Sequence, residues 1–263
     1  MARTTDSAAS GYNQVVGFYD WLAPEYDLMT EFEKRFVQET PFYRLLVERY
    51  SLATAVDAGA GTGFHSLLLA RLGVGVTAVD ISPLMIQRLQ EHARTMGLTV
   101  QGVVAPFTEL PEILRAPADA VFCLGNTLAH CLTRDELLET LRSFARVLRP
   151  GGVLLAQTLN YDRILAKKEP IQSVKEINGK TFVRSYEYHR DTIRFNILKL
   201  ERDGSGIHHS LESVDLRPLL VQDLVRALRE TGFPDVRTYG GITLEDFIPG
   251  SSKDLVVLAR KGT

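Results

Sequence analysis

Three glycines at alternate positions stand between two acidic residues in the first third of the chain. Asp57 ends an apolar run and is followed by Gly59, Gly61 and Gly63, and Asp80 closes the next apolar run. A glycine turn lets a ligand approach the backbone closely, because no side chain stands in the way. An acidic residue at the end of a second strand can hydrogen-bond a ribose diol. The pattern predicts a nucleoside site at the edge of a sheet rather than a turn without a ligand.

The spacing of the turn excludes two common phosphate sites. A dinucleotide fingerprint requires a further glycine where this chain has Phe64 or Ser66. A P-loop requires Gly-Lys followed by Ser or Thr, which does not occur after the turn. No Lys or Arg lies between Asp57 and Ala70 to meet a phosphate. We therefore expect a nucleoside ligand without a phosphate group.

Composition limits the class of protein and the partners. The chain has 263 residues, of which 45% are hydrophobic and 24% charged, as in ordinary globular proteins. Its formal net charge of −2 provides no general attraction to nucleic acid or acidic lipid. The two cysteines, Cys123 and Cys131, suggest a reducing compartment. The first residues lack the apolar core of a signal peptide, and no apolar run approaches the roughly 20 residues that span a bilayer. These features predict a cytoplasmic protein without a membrane or nucleic-acid partner.

Predicted strands alternate with predicted helices through most of the chain, which indicates an α/β fold with a parallel sheet between helices. Two helix starts are marked by Ser82 before Pro83 and by a capping box of Thr133 and Glu136. The expected strands are residues 54–58, 75–80, 98–104, 118–124, 153–159, 235–239 and 253–260. The expected helices are residues 63–72, 82–96, 109–114, 133–149 and 221–231.

Two regions depart from this alternation. Residues 12–50 are helical in character and rich in aromatic side chains, and Pro24 and Pro41 are expected to divide them into short helices. Residues 160–217 contain three β-rich runs separated by turn residues, which predicts an antiparallel meander. The expected runs lie near residues 180–189, 192–201 and 207–216.

The segment Asp57–Gly63 together with Asp80 resembles motif I and the second-strand acid of the class I S-adenosylmethionine (AdoMet)-dependent methyltransferases. The resemblance implies a Rossmann-like α/β fold of seven strands, the last antiparallel, with AdoMet as cofactor and S-adenosylhomocysteine as product. It implies three regions, of which the second is split. They are an N-terminal helical lid, 1–50; an AdoMet-binding core, 51–159 and 218–263; and an antiparallel β insertion between the fifth and sixth strands, 160–217. The insertion would cap the acceptor site or form a subunit interface.

A narrower resemblance concerns glycine and sarcosine N-methyltransferases. The segments Gly125-Asn126-Thr127-Leu128-Ala129-His130 and Asn160-Tyr161-Asp162 are similar to segments of that branch. They follow the fourth and fifth strands, at the carboxyl end of the sheet where α/β folds bind ligands. In that branch an Arg just before the Asn-Tyr pair binds the acceptor carboxylate, whereas this chain has Leu159. Glycine is therefore not expected to be the substrate.

Three residues are candidates for the chemistry. His130 could act as a base, because its unperturbed pKa lies near neutrality, or could serve as a structural cap. Asn126 could hold the acceptor or the cofactor, or could form a turn. Tyr161 could line the acceptor pocket. Methyl transfer from a sulfonium requires in-line positioning, and it requires a base only if the acceptor must lose a proton.

The remaining candidates bind the cofactor. The lid aromatics Tyr19 and Tyr26 could face the sulfonium cation. Arg35 could meet the methionine carboxylate or be a solvated helix charge, and Phe107 could pack on adenine or belong to the core. The full set of expected cofactor-binding residues is Tyr19, Tyr26, Arg35, Asp57, Gly59, Gly61, Gly63, Asp80, Ile81, Phe107 and Leu124.

The sequence as a whole predicts an AdoMet-dependent methyltransferase that acts on an N or O atom of a small-molecule acceptor. Two alternatives stay open, namely an AdoMet-binding regulatory module without catalysis and a methyltransferase that acts on a macromolecule. No metal site is expected, because adjacent histidines such as His208 and His209 point to opposite faces of a strand. A homodimer formed through the β insertion is a further possibility.

Overall fold

The structure, a computed structural model, describes the backbone of residues 4–263 and the side chains of residues 11–263. The helices are α1 Thr4–Leu22, α2 Tyr26–Thr30, α3 Phe32–Tyr50, α4 Phe64–Arg71, α5 Pro83–Met96, α6 Leu110–Ile113, α7 Arg134–Val147, α8 Tyr161–Lys167 and α9 Val221–Glu230. The strands are β1 Thr54–Ala58, β2 Gly75–Asp80, β3 Gln101–Val104, β4 Ala118–Cys123, β5 Leu148–Leu159, β6 Ile171–Ile177, β7 Lys180–Tyr188, β8 Ile193–Asp203, β9 Gly206–Leu216, β10 Asp235–Tyr239 and β11 Asp254–Arg260. Single 3₁₀ turns occupy Phe107–Glu109 and Thr127–His130.

Seven strands form the central sheet in the order β10-β11-β5-β4-β1-β2-β3. The strands β1 to β5 are parallel, and β11 runs antiparallel to both of its neighbours. The strand order changes direction between β1 and β4, and such switch points open a crevice at the carboxyl ends of the strands. The predicted seven-stranded fold with an antiparallel last strand is confirmed.

Local capping positions two helices that flank this crevice. The Ser82 side chain accepts a hydrogen bond from the Met85 N–H, and α5 starts with Pro83. The Thr133 and Glu136 side chains each accept a backbone N–H at the start of α7. Both predicted helix starts are confirmed, because these side chains satisfy N–H groups that lack partners within the helix.

Two hydrophobic clusters fill the two faces of the sheet. Val56 belongs to the cluster that includes α7 and α9, whereas its neighbour Ala55 belongs to the cluster that includes α3, α4 and α5. This alternation follows from the two-residue period of a strand. Helix α1 packs into the first cluster, the one that includes α7 and α9, through Phe18 and Leu22.

The N-terminal lid differs from the prediction at one proline. Pro41 does not end a helix, because α3 continues through it. A proline inside a helix leaves the carbonyl four residues earlier without its partner. That carbonyl belongs to Val37, which is 77% exposed, so water can replace the missing hydrogen bond.

The insertion is a four-stranded antiparallel sheet in the order β6-β7-β8-β9. It lies between β5 and α9 in the chain, which confirms the predicted antiparallel insertion after the fifth strand. Helix α8 and strand β6 were not predicted. Strand β6 has few buried residues, so its sequence lacks the apolar alternation that marks a half-buried strand.

Candidate active site

The glycine turn connects β1 to α4 with three positive φ angles, of 80° at Gly59, 54° at Gly61 and 93° at Gly63. A Cβ atom on Gly59 would lie 2.5 Å from the Thr127 side chain, and one on Gly63 would lie 2.6 Å from Leu89. At Gly61 the nearest neighbour would be Tyr26 at 3.7 Å. Gly59 and Gly63 therefore allow close packing of the turn, whereas Gly61 keeps the backbone open toward the lid.

Asp80 lies at the end of β2, beside the turn. Its Oδ2 accepts a hydrogen bond from the Gly61 N–H and its Oδ1 from the Ser82 N–H, both at 2.9 Å. A carboxylate offers about four acceptor positions, so each oxygen keeps one for a ligand hydroxyl group. Burial raises the pKa of Asp80, and the hydrogen bonds from Ser82 and Gly61 oppose that rise. The side chain is thus fixed in position with free acceptor capacity, as ribose binding requires.

A cleft of about 770 Å³ opens at this edge of the sheet, within the volume range of small-molecule sites. Ten of the fourteen predicted site residues line it. They are Tyr19, Tyr26, Arg35, Gly59, Gly61, Asp80, Ile81, Phe107, Leu124 and His130. The glycine turn, the free acceptors of Asp80 and the aromatic side chains fit the adenosine and sulfonium groups of AdoMet.

Four predicted site residues lie behind the lining of the cleft, namely Asp57, Gly63, Asn126 and Tyr161. Asp57 is buried, and its Oδ2 accepts a hydrogen bond from the Ser66 hydroxyl of α4 at 2.6 Å. Burial raises the pKa of this carboxyl from 3.8 to about 7. Asp57 therefore joins β1 to α4 and supports the turn from behind, which differs from the expected contact with the cofactor.

Asn126 and Tyr161 form a pair in the layer beneath the cleft. The Asn126 Nδ2 donates to the Tyr161 hydroxyl at 2.9 Å, and its Oδ1 accepts from the Leu159 N–H at 3.0 Å. Tyr161 is fully buried, which raises the pKa of its phenol. Asn126 has a left-handed φ of 70° and ends the loop after β4. The pair joins the ends of β4 and β5 and positions the loop that carries His130, so the expected pocket-lining role of Tyr161 is corrected.

His130 meets the lid at Tyr19. The Tyr19 hydroxyl lies 2.9 Å from His130 Nε2, and the two rings meet edge to face at 5.4 Å. Burial lowers the pKa of His130 to about 4 and raises the pKa of Tyr19 well above 10. Within residues 11–263, His130 Nδ1 is buried without a hydrogen-bond partner. Both side chains are therefore neutral near pH 7, and His130 is a poor base.

Arg35 and Phe107 lie in different parts of the cleft lining. Arg35 hydrogen-bonds Glu39 at 2.7 Å and stacks on the ring of Phe64, the first residue of α4, at 4.2 Å. Phe107 follows β3 and contacts the ring of Phe144 at 5.6 Å. Arg35 thus lies near the glycine turn, whereas Phe107 lies just after the end of β3, the strand at one edge of the sheet.

Three acidic side chains connect the lid to the rest of the molecule, and no motif marked them. Asp20 accepts from the Ser82 hydroxyl at 2.5 Å, and Asp27 accepts from the Thr62 hydroxyl at 2.6 Å. Glu25 contacts two lysines of the insertion, Lys180 at 2.9 Å and Lys199 at 3.3 Å. The lid is therefore attached both to the glycine-turn side and to the insertion.

The charge of the cleft was also missed by the sequence patterns. Among the described residues that line it, one carries a permanent positive charge, Arg35, whereas six carry carboxyl groups. Two of the six are paired, Glu39 with Arg35 and Asp215 with Arg194. The six are Glu39, Asp80, Glu136, Glu139, Asp215 and Asp254. The lining thus has an excess of negative charge, which favours a cationic ligand.

Two absences concern the part of the chain that the structure describes. No helix there combines the length and the apolar character needed to cross a membrane. No group of three or more His, Cys, Asp or Glu side chains among those residues is placed to hold a metal ion.

Comparisons with known proteins agree with this geometry. A family model described as a methyltransferase domain matches residues 55–152. The glycine/sarcosine N-methyltransferase of Halorhodospira halochloris is 29% identical over 238 residues, which cover 90% of this chain and 84% of that protein. The enzyme of the same name from Aphanothece halophytica is 27% identical over 224 residues, covering 85% and 82%. The solved structure of an S-adenosylmethionine-dependent methyltransferase from Clostridium acetobutylicum superposes with a TM-score of 0.79 at 16% identity, covering 93% of this chain and 99% of that one.

Proposed function

We propose that this chain, which is a class I AdoMet-dependent methyltransferase, transfers the methyl group to an amine nitrogen of a small molecule. The charge of the cleft carries the proposal. Asp80, Glu136, Glu139 and Asp254 have no ion pair with a lysine or arginine among residues 11–263. Such a lining attracts a protonated amine as well as the cationic cofactor. The similar enzymes named glycine/sarcosine N-methyltransferases support a nitrogen acceptor.

Bound AdoMet supplies a methyl group that is already activated by its sulfonium. The amine reacts in its neutral form, after its proton has passed to solvent at the mouth of the cleft, and the protein must then hold the amine in line with that methyl group, with the nitrogen lone pair directed toward it. When the Tyr19 hydroxyl donates to His130 Nε2, its oxygen keeps two lone pairs that can accept an N–H bond from the amine. Neutral His130 thus positions Tyr19, and Tyr19 orients the nucleophile. Asn126 and Tyr161 hold the His130 loop in place.

The two alternatives receive less support. A nucleic-acid substrate would meet a cleft with an excess of carboxyl groups, which repel phosphates. A binding module without catalysis would not require the Tyr19 hydroxyl to be held by His130 in the lining of the cofactor cleft. Leu159 stands where the resemblance places an arginine, so an acceptor that carries a carboxylate, such as glycine, would need a cation from another element.

Tyr19→Phe and His130→Gln test the proposal. S-adenosylhomocysteine release is measured with a panel of small amines, and S-adenosylhomocysteine affinity is measured by calorimetry. Both variants are expected to lose about tenfold to a hundredfold in kcat, because one positioning hydrogen bond is lost, and to keep the affinity within about threefold. Because the pKa of His130 is lowered to about 4, the wild-type rate is expected to show no inflection from this residue near pH 6.5. The proposal fails if no amine is methylated, or if both variants retain the wild-type rate.

A further inference from the structure

Arg184 lies on the inner face of the insertion sheet. Along β7 it stands between Phe182 and Tyr186, which are both buried and lie on the same face because they are two residues away on either side. In register, it pairs with Ile197 of β8 on one side and with Ser173 of β6 on the other. Ile197 is also buried. Arg184 is therefore directed toward the interior of the protein.

The lid covers this face of the insertion. Phe195, the partner of Tyr186, contacts Phe18 of α1 with ring centroids 5.9 Å apart. Lys199, the partner of Phe182, lies 5.4 Å from the ring of Trp21. Arg184 is located between these two contacts, so it lies opposite the lid segment that carries Tyr19.

Two polar side chains at this point, Arg184 and Ser173, have no carboxylate partner among residues 11–263. Burial lowers the pKa of the Arg184 guanidinium, and the titratable groups near it are the phenols of Tyr26, Tyr186 and Tyr19, with no carboxylate of residues 11–263 among them. Two of these phenols, Tyr26 and Tyr19, line the cofactor cleft. The Ser173 hydroxyl next to Arg184 is buried and makes no hydrogen bond within the same range of residues. An enclosed cation beside a free hydroxyl group is a suitable site for a carboxylate.

We propose that Arg184 and Ser173 bind the carboxylate of an amino-acid-like methyl acceptor. The inference rests on the proposed N-methylation, since the amine of such an acceptor would meet the acidic cleft. It assigns the carboxylate to the acceptor rather than to AdoMet because Tyr186, on the same face of β7, lies near Tyr161, the first residue of α8, whose pKa is raised by burial and further by the proximity of Tyr186. The cofactor's own carboxylate would meet Arg35, which lies beside the glycine turn.

The test compares Arg184→Leu, Arg184→Lys and Ser173→Ala with wild type on matched amines. The probes are glycine and methylamine, β-alanine and ethylamine, and phenylalanine and phenethylamine, and each pair differs by one carboxylate. For at least one pair, the kcat/KM of the wild type is expected to be at least tenfold higher for the member that carries the carboxylate than for the matching amine. Arg184→Leu should remove that preference by raising the KM of the acid on the order of tenfold to a hundredfold. Arg184→Lys should keep part of this preference, and Ser173→Ala should reduce the preference severalfold.

Arg202→Leu serves as the control, because Arg202 is an exposed arginine on β8 and should leave the preference unchanged. The S-adenosylhomocysteine affinity is expected to be retained in every variant, which shows that each is folded. Equal use of both members of every pair by wild type, or an unchanged preference in Arg184→Leu, overturns the assignment of Arg184. A loss of S-adenosylhomocysteine affinity with retained binding of 5′-methylthioadenosine overturns it too, because Arg184 would then hold the cofactor's carboxylate. If wild type binds S-adenosylhomocysteine but methylates no amine, the proposed function itself fails, and this inference fails with it.

Discussion

Asp80→Asn replaces one carboxylate oxygen by an amide nitrogen and leaves the size of the side chain unchanged. In the wild type, both oxygens accept backbone N–H groups at 2.9 Å, one from Gly61 and one from Ser82. An amide nitrogen cannot accept either bond, so the variant loses one of these contacts. It also loses the acceptor position that this oxygen offers to a ribose hydroxyl group.

The expected loss of affinity follows from one charged hydrogen bond to the ligand. Such a bond contributes about 1.5–3 kcal/mol, which corresponds to roughly tenfold to 150-fold in the dissociation constant. The second consequence concerns the turn itself. Because the Gly61 or Ser82 N–H would face an amide donor, we expect a further loss of about 1–3 kcal/mol in the free energy of unfolding.

Calorimetric titration with S-adenosylhomocysteine near neutral pH measures the first effect, and urea denaturation measures the second. Asp119→Asn is a matched control, because the Asp119 Oδ2 also accepts two backbone N–H groups, from Ala53 at 2.8 Å and Thr54 at 2.9 Å. Asp119 lies at the start of β4, at the opposite edge of the sheet. The ribose assignment is refuted if both variants lose the same affinity or if Asp80→Asn binds as tightly as wild type.

Two further predictions concern the turn and the residue behind it. Gly59→Ala is expected to lower the free energy of unfolding by about 1–3 kcal/mol more than Gly61→Ala in urea denaturation, since its Cβ would lie 2.5 Å from Thr127 at a φ of 80°. Equal losses would contradict the packing described for the turn. Burial raises the pKa of Asp57 from 3.8 to about 7 in the folded state, so its neutral form stabilises the fold at low pH and that contribution is lost as the pH rises toward 7. Asp57→Asn should therefore remove a decline of up to about 4 kcal/mol between about pH 4 and pH 7, whereas parallel profiles in denaturation across that range would show that the Asp57 carboxyl does not titrate as expected.

Residues that reach the cleft because they follow the carboxyl end of a strand could be predicted from the sequence. The glycine turn and Asp80 each follow an apolar run, and the carboxyl ends of parallel strands meet at one edge of a sheet. The predicted family, enzyme class and cofactor are confirmed by the methyltransferase domain match and the similar N-methyltransferases. Asp57 shows where this reasoning stops. Its position in the motif does not reveal that its carboxylate is directed toward Ser66, which follows nine residues later on α4.

The charge of the cleft could not be predicted, because its carboxylates come from separate elements. Glu39 belongs to α3, Glu136 to α7, Asp215 to β9 and Asp254 to β11. Each of these positions is an ordinary surface charge when it is considered in its own segment. Only the fold brings them to one cleft, so the excess of negative charge is a property of tertiary structure.

Leu159 illustrates the same limit for the substrate. At this position, the last of β5, the resemblance places an arginine that binds the acceptor carboxylate in the related enzymes, and the leucine of this chain cannot replace it. A cation that reaches the same space from another element would restore that function, and no comparison along the chain would detect it. Arg184 on β7 is the proposed cation, because it lies on the same face as Tyr186, which lies near Tyr161 at the start of α8. The acceptor should therefore be inferred from the charges that surround the cleft rather than from the residue that aligns with the family's arginine.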